Sequence, residues 1–217
     1  MRHRAKLVGL RSNVKCQIHG VLAGAGVHVP VSDLFGVDGH TLLARVELSP
    51  AARARVNSAL RLIETLDFEV ELFAKLTAGR LRTDDGYQAL QQIPGVGPVL
   101  AAVFVAEIGD ITRFDRPARL ACWAGLTPKH HESDTTVHRG RITKQGSRLV
   151  RWAAVEAVQR VPAHTRLGAV REQVGARRGR TIGVVAAARQ LIELVFHGLR
   201  DGHIRRLAPP PPCTPAA

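Results

Sequence analysis

Cysteine is scarce in this sequence, and its few copies lie far apart. The 217 residues contain three, Cys16, Cys122 and Cys213, with no CxxC spacing. Zinc sites and disulfide frameworks need closely spaced or paired cysteines. We therefore expect reduced thiols and no structural zinc.

Long apolar runs are also missing. No stretch approaches the roughly 18 consecutive apolar residues that a membrane-spanning helix needs, and the N-terminal residues alternate basic and apolar positions without the apolar core of a signal peptide. Apolar residues make up 45% of the chain, which is enough to bury a core. We expect a folded, soluble protein of the cytosol.

Acidic residues are few compared with basic ones. Asp and Glu number 18 against 31 Lys and Arg, so the formal net charge is +13. Such an excess favours a polyanionic partner, because contacts with phosphates release counterions and the arginine fork suits phosphate oxygens. Nucleic acid is the first interpretation. The alternative is that arginine occupies solvated helix faces and serves only solubility.

The N-terminal region, residues 1–48, combines a basic helix with a loop. Apolar residues recur at spacings of three and four over Arg2–Leu22, with basic residues between them. This periodicity predicts an amphipathic helix, although no element precedes it for its apolar face to pack on. Gly24–Thr41 is rich in Gly, Val and Asp, and we expect a loop with at most short extended pieces.

A long helix is predicted over residues 49–78. Ser49 followed by Pro50 is a helix start, since the hydroxyl caps the helix and proline needs no N–H at the first helical position. Val56, Ile63 and Val70 recur every seven residues, and Ala59, Leu66 and Phe73 form a second such series, which makes a heptad seam. The seam indicates either a coiled coil that joins subunits or a helix that packs against its own domain.

Residues 87–201 are predicted to form a helical domain. The predicted helices are Tyr87–Gln92, Pro98–Ile108, Asp115–Ala124, Gly146–Val161, Thr165–Gly175 and Thr181–Leu199. Between them we expect a small β-hairpin, formed by Thr135–Val137 and Arg141–Thr143 around His138–Gly140. The proline-rich tail, residues 207–217, is predicted to be disordered. The predicted fold class is therefore mainly α, with a long coiled-coil helix, a helical domain and one hairpin.

The segment from Gln92 to Ala101 has the pattern of a helix-hairpin-helix turn. Gly95 and Gly97 permit a tight turn, Val96 points inward, and Pro98 opens the next helix. Exposed amides at a helix start bind anions, so this turn is a candidate contact for the sugar-phosphate backbone. An ordinary helical hairpin is the alternative.

The segment Thr127–Thr136 concentrates hydroxyls, imidazoles and carboxylates. Ser133 beside histidines is a candidate nucleophile, and His130, His131, Glu132 and Asp134 are candidate metal ligands. Adjacent histidines seldom converge on one ion, which disfavours the metal. From residue types alone, a polar surface loop is the better interpretation.

Two groups of basic residues follow this segment. Arg139, Arg141, Lys144, Arg148 and Arg151 lead from it into a helix, where Arg148 and Arg151 share a face and are candidates to clamp phosphates. A solvated helix end is the alternative for either residue. Arg177, Arg178 and Arg180 form a second basic turn before the last helix.

Six blocks carry a resemblance over about residues 90 to 200. They are, in order, Ile93–Gly97 (IPGVG), Ala106–Phe114 (AEIGDITRF), Gly125–Pro128 (GLTP), Glu132-Ser133, Arg141–Gly146 (RITKQG) and Leu149–Arg151 (LVR). In order and spacing the blocks resemble the C-terminal domain of the insertion-sequence one-ten (IS116/IS110/IS902-type) family of bacterial transposases. The long helix from Pro50 and the last helix resemble further parts of that family.

The resemblance implies a recombinase with two parts. An N-terminal RuvC-like domain would hold Mg²⁺ in an acidic site, and the C-terminal domain would supply a serine that attacks a DNA phosphate. Ser133 stands at the position of that serine. The resemblance also implies DNA as a partner, assembly of several subunits, and in some members a structured guide RNA. It further implies a location in the bacterial cytoplasm, associated with the nucleoid.

The sequence departs from the family pattern at two points. Asp134 replaces the glycine that usually follows the serine. Residues 1–48 correspond to the end of a RuvC-like domain, and no strand-borne acidic residues precede them; Asp33 and Asp38 are weak substitutes for a two-metal site. We therefore expect a C-terminal transposase fragment that holds no cofactor of its own and is inactive alone. The alternative is a non-catalytic protein that binds nucleic acid, or binds full-length transposase through its coiled coil, and so regulates transposition.

Overall fold

The protein is described by a computed structural model that covers residues 1–133 and 136–204; the side chains of residues 130–139 lie outside the description. The tail predicted to be disordered, residues 207–217, and Asp134 also lie outside it. The described part is mainly helical, as predicted. Its elements are α1 (Arg2–Gly24), α2 (Val37–Arg45), α3 (Pro50–Leu81), α4 (Asp85–Gln91), α5 (Pro98–Ile108), a 3₁₀ turn (Ile111–Arg113), α6 (Pro117–Trp123), β1 (Pro128–Ser133), β2 (Thr136–Ile142), α7 (Arg148–Gln159), α8 (Arg166–Arg178) and α9 (Arg180–Asp201).

The chain divides into two compact units, Met1–Leu76 and a second that begins at Thr77. The first unit pairs α1 with α3. Arg11 forms an ion pair with Asp67, and the rings of His3 and Phe73 meet edge to face at 4.8 Å. As the residue number rises along α1, its partner's number falls along α3, so the two helices run antiparallel. The apolar face of α1 therefore packs on α3.

The heptad seam of α3 is buried inside this first unit. Val56 is fully buried and Ile63 is 6% exposed, and both belong to one core with Val14, Ile18 and Leu22 of α1. These seam positions are thus used within the chain, which agrees with the alternative of a helix packing against its own domain. The start of α3 is as predicted: the Ala52 N–H donates to Ser49 Oγ at 3.3 Å.

The loop predicted over Gly24–Thr41 was wrong in its last part, because α2 begins at Val37. The abundance of Gly, Val and Asp in that stretch suggested a loop. Gly39 instead lies in the helix, where any Cβ would overlap the backbone of Leu34. Arg53 of α3 donates to the carbonyls of Leu43 and Val46, so the end of α2 is held against the start of α3.

The second unit is built around α9, which contacts α4, α6, α7 and α8. By length and composition α9 would be able to span a membrane, but its apolar face is buried within the unit. The largest of its buried side chains are Leu191, Ile192, Val195 and Phe196. The helix is therefore best described as the core helix of this unit.

The two strands form an antiparallel pair with a different register from the predicted one. Ser133 pairs with Thr136 as the last pair of the ladder, whereas the sequence placed the turn at His138–Gly140, which lies within β2. Gly140 suggested that turn. It lies instead where the register shifts, because Pro128 pairs with Ile142 while His130 pairs with Arg139. A glycine within a strand often marks such a bulge.

Candidate active site and nucleic-acid surface

The β-hairpin projects from two backbone segments that hydrogen-bond to each other. The Thr143 N–H donates to the Thr127 carbonyl at 2.9 Å, and the Lys144 N–H donates to the Gly125 carbonyl at 3.1 Å. These two bonds continue the strand pairing to the end of α6. The base of the hairpin is thereby joined to the helical domain.

Glycines make this close approach feasible. Gly125 and Gly146 both have left-handed backbones, with φ of 71° and 70°. A Cβ on Gly125 would overlap the backbone of Gln145, and a Cβ on Gly146 would overlap the Trp123 carbonyl. Gly125 also ends α6, since it lies just past the helix and its N–H donates to the Cys122 carbonyl.

Arg151 fastens the same region from α7. Its guanidinium donates to the Ala124 carbonyl at 3.1 Å and to the Gln145 carbonyl at 2.7 Å. Partial burial, and to a smaller extent the neighbouring Arg148, lower the pKa of Arg151 from its ordinary value. A phosphate contact by Arg151 would have to compete with these two hydrogen bonds.

Three other predicted basic residues are exposed beside the hairpin base. Arg141 lies near the end of β2, Lys144 follows it, and Arg148 begins α7. None of them forms an ion pair with another residue that the structure describes. Lys144 has a left-handed backbone, with φ of 56°. Arg139 lies in β2, and its side chain belongs to the part that is not described.

Ser133 is the last residue of β1 and forms the final pair of the ladder with Thr136. Its backbone therefore lies at the end of the hairpin away from the hairpin base at residues 125–127 and 143–144. The side chains of Ser133, His130, His131 and Glu132 lie outside the description.

The two glycines predicted to contact phosphate have different surroundings. Gly95, with φ of 87°, faces α7, where a Cβ would overlap the Ala157 carbonyl. Gly97 precedes α5 and has open space around it, and no side chain caps that helix. Val96 is buried, as predicted. Gly97 is therefore the accessible member of the pair.

A polar pair that the sequence analysis did not assign joins α5 to α7. Ser147 Oγ donates to Glu107 Oε2 at 2.8 Å, and it also accepts the Val150 N–H at 3.3 Å. Ser147 thus caps α7. A serine directly before an apolar-periodic segment is the sequence signal for such a cap, whereas nothing in the sequence indicates its carboxylate partner.

A cluster of Arg113, Phe114 and Trp123 also lies next to the hairpin base, through the contact of Gly146 with Trp123. The Arg113 guanidinium lies 4.7 Å from the ring centre of Phe114 and 4.8 Å from that of Trp123. Stacking of this kind fixes the guanidinium over the aromatic rings.

The described residues do not offer a metal site. Among them no three His, Cys, Asp or Glu side chains lie close enough together to hold an ion. Asp33 instead accepts the Phe35 N–H at 2.9 Å, as in a local turn, and Asp38 lies in the first turn of α2. Neither residue therefore fits the acidic Mg²⁺ site that the resemblance implies.

Comparison with known proteins gives a family match in the second unit and several relatives. Residues 87–174 match the family model described as Transposase IS116/IS110/IS902 family. The chain is 33% identical, over 63% of its length and 34% of the relative's, to the insertion element IS116 uncharacterized 44.8 kDa protein of Streptomyces clavuligerus.

Two further relatives are similar. The transposase for insertion sequence element IS1111A of Coxiella burnetii is 31% identical over 46% of this chain and 26% of its own length. The pilin gene-inverting protein of Moraxella bovis is 29% identical over 52% of this chain and 36% of its own length. The chain thus matches about a third or less of each relative's length.

Proposed function

Because residues 87–174 match the model of the IS116/IS110/IS902 family of transposases, we propose that this chain takes part in DNA transposition and that Ser133 is its nucleophile. The geometry of the β-hairpin is the main support for this proposal. Its base is fixed by Arg151 and by two close backbone contacts, and Ser133 lies at its other end. A nucleophile needs such a positioned support, since misplacement of the reacting atom is costly to rate.

DNA is the proposed partner of the surface next to the hairpin. Arg141, Lys144 and Arg148 are exposed there without ion-pair partners among the described residues. Three cations on one short segment are suited to neighbouring phosphates of a backbone. Such contacts position the DNA and do not read its sequence, so in this proposal sequence choice comes from elsewhere, for instance from a guide RNA.

The proposed reaction conserves the number of phosphodiester bonds. Ser133 Oγ forms a bond to the DNA phosphorus, and the bond from that phosphorus to one deoxyribose oxygen breaks. The serine proton is lost and the released sugar oxygen gains one. Reversal with a different DNA end rejoins the strand. No step is assigned to a metal held by this chain, and we expect Mg²⁺ in a longer family member to stabilise the developing charge.

We expect the isolated chain not to cleave DNA, because phosphoryl transfer depends on electrostatic stabilisation of the transition state. Asp134 adds a negative charge directly beside Ser133. In this proposal the acidic site is supplied by another transposase subunit, in the bacterial cytoplasm.

A covalent-capture assay tests the nucleophile. The chain is mixed with a longer relative from the same family and with labelled DNA carrying an element end, and protein bound covalently to DNA is detected on a denaturing gel. We expect an adduct of this chain that Ser133→Ala abolishes. Thr136→Ala is the matched control, since it removes a hydroxyl from the paired position. An adduct that persists in Ser133→Ala would refute the assignment.

A second candidate function is regulation by association with other transposase subunits. It is favoured by an apolar stripe on α3, Phe68, Leu72 and Leu76, which are 66%, 37% and 58% exposed. These residues recur every four positions, on the side of α3 opposite Ile63 and Val70. Phe68→Asp is therefore the test of association, since Ile63→Asp would disrupt the core of the first unit.

A further inference from the structure

A groove in the second unit lies apart from the hairpin, between α7 on one side and the α8–α9 pair on the other. Its volume is about 700 Å³. Val155 and Gln159 line it from α7, and Arg171, Glu172 and Gly175 line it from α8. Arg180, Thr181 and Val184 line it from the first turns of α9.

Two features of the packing create this groove. Gly183 of α9 contacts α8 so closely that any Cβ would overlap the Arg171 carbonyl, and Gly175 contributes no side chain. The Arg171 side chain then crosses to the C-terminal end of α7, where it donates to the carbonyl of Val158 at 2.6 Å and, just past the helix, to that of Val161 at 3.0 Å. Arg171 also pairs with Glu172 at 2.8 Å, so these two charges neutralise each other.

The remaining charge of the groove lining is the positive charge of Arg180, and two further arginines, Arg177 and Arg178, lie close to it in sequence but outside the lining. Arg177, Arg178 and Arg180 are exposed in the turn that joins α8 to α9, and none forms an ion pair with a described residue. Cations in the last turn of α8 suit its dipole, which accounts for Arg177 and Arg178. Arg180 opens α9, where a cation is unfavourable, and α9 has no acidic residue in its first turn.

An exposed aromatic ring lies on the same face of α7. Trp152 is 44% exposed, one turn before Val155 and two turns before Gln159. Residues three and seven positions apart share a helix face, so the indole lies on the face of α7 that lines the groove. Arginines beside an exposed aromatic ring form the combination that holds single strands, since phosphates bind the cations while unpaired bases stack on the ring.

We propose that this groove binds a single-stranded nucleic acid, with Arg180 at the phosphates and a base stacked on Trp152. The inference rests on the proposed function, because it adds a second nucleic-acid contact to a transposase domain. It needs no covalent step, so it is tested by binding alone and does not depend on Ser133.

The test uses tryptophan fluorescence. The chain has two tryptophans, so Trp123→Phe leaves Trp152 as the only reporter. A thymidine oligonucleotide of about ten nucleotides is titrated into this protein at low salt. We expect the oligonucleotide to quench the fluorescence of Trp152. Its affinity should be at least about tenfold weaker for Arg180→Glu and for Trp152→Ala. Binding to Trp152→Ala is followed by the anisotropy of a labelled oligonucleotide.

Arg189→Glu is the matched control. Arg189 is exposed on the same helix, and nine residues from Arg180 it lies on the opposite side. Arg189→Glu changes the net charge by the same amount as Arg180→Glu. The affinity of this control variant for the oligonucleotide should stay within about twofold of that of the parent protein. An equal loss of affinity in Arg180→Glu and Arg189→Glu would show that binding depends only on general charge attraction, and it would overturn the proposal. Binding without quenching, or equal quenching by a duplex of the same length, would also overturn it.

The two proposals fail in different ways. If the groove is wrong, Arg180→Glu still forms the Ser133 adduct and binds the oligonucleotide as well as Arg189→Glu does. If Ser133 is not the nucleophile, Ser133→Ala still forms the covalent adduct with DNA, and the oligonucleotide still quenches Trp152.

Discussion

The Ser147 hydroxyl and the Glu107 carboxylate form a 2.8 Å hydrogen bond that joins the start of α7 to the end of α5. The same hydroxyl caps α7 by accepting the Val150 N–H. One side chain thus fixes a helix start and the spacing between two helices. Because α7 also carries Arg148 and Arg151, this bond helps to position the hairpin base.

Removal of this hydroxyl should destabilise the second unit. Ser147→Ala loses the cap and the bond to Glu107, and we expect the free energy of unfolding to fall by about 1 to 2 kcal/mol. Urea denaturation measures the change. Ser147→Thr should retain most of the stability, and Ser12→Ala, on the exposed face of α1, should have little effect. If Ser147→Thr lost as much stability as Ser147→Ala, the capping role of the hydroxyl would be contradicted.

Gly146 should not tolerate a side chain. Gly146→Ala combines a left-handed backbone with overlap at the Trp123 carbonyl, so we expect destabilisation of about 2 kcal/mol or more. Gly79→Ala is the opposite case, since Gly79 lies in α3 with open space around it. That change should stabilise the protein by about 0.5 to 1 kcal/mol. Thermal unfolding of both variants tests the contrast.

Variants of Arg148 and Arg151 should differ in their effects on DNA binding and on the stability of the fold. Arg151→Ala removes two hydrogen bonds to carbonyls at the hairpin base, and we expect it to cost about 1.5 to 3 kcal/mol of stability. Arg148→Ala should leave stability nearly unchanged. It should weaken DNA binding and reduce the slope of log affinity against log salt by about 1. If both variants lost affinity equally with no loss of stability, Arg151 would be a phosphate contact after all.

Asp110 should titrate below the ordinary range of aspartate. The Thr112 side chain, then its backbone N–H, donate to the Asp110 carboxylate and lower its pKa. A lowered pKa in the folded state means that the stability contributed by this carboxylate is present above the unfolded pKa and is lost as pH falls through the folded pKa. Carboxyl ¹³C shifts followed against pH measure the titration.

Variants of Thr112 separate the two donors to Asp110. Thr112→Ala should raise the pKa of Asp110 part of the way, since the backbone N–H remains. Thr112→Ser should keep the pKa low. An unchanged pKa in Thr112→Ala would show that the hydroxyl contributes nothing.

The helices were largely predictable because their signals are local. Pro98–Ile108 was predicted with the bounds that the structure shows, since Pro98 starts the helix and Gly109 follows it. The start of α3 at Pro50 likewise depends on a neighbouring hydroxyl. α2 was missed because its glycine at position 39 is required by contact with Leu34, which no local pattern reveals.

The candidate site was predictable only in its residue types. The sequence identified Arg148 and Arg151 as a pair on one helix face, yet the structure gives them different environments, with Arg151 bonded to carbonyls from two other segments. The predicted strand register was also wrong. The register depends on the side-chain pattern of both strands and on the bulge, which are properties of the whole hairpin.

Four features follow from composition or from residues close in the chain: the excess of positive charge, the helical class, the helix starts and the family blocks. Tertiary structure alone decided that the heptad seam of α3 is buried against α1, that Gly125 and Gly146 join the hairpin to the helices, and that Arg171 spans a groove beside Arg180. These relationships arise from contacts between residues distant in sequence, and their energies depend on which groups lose access to water.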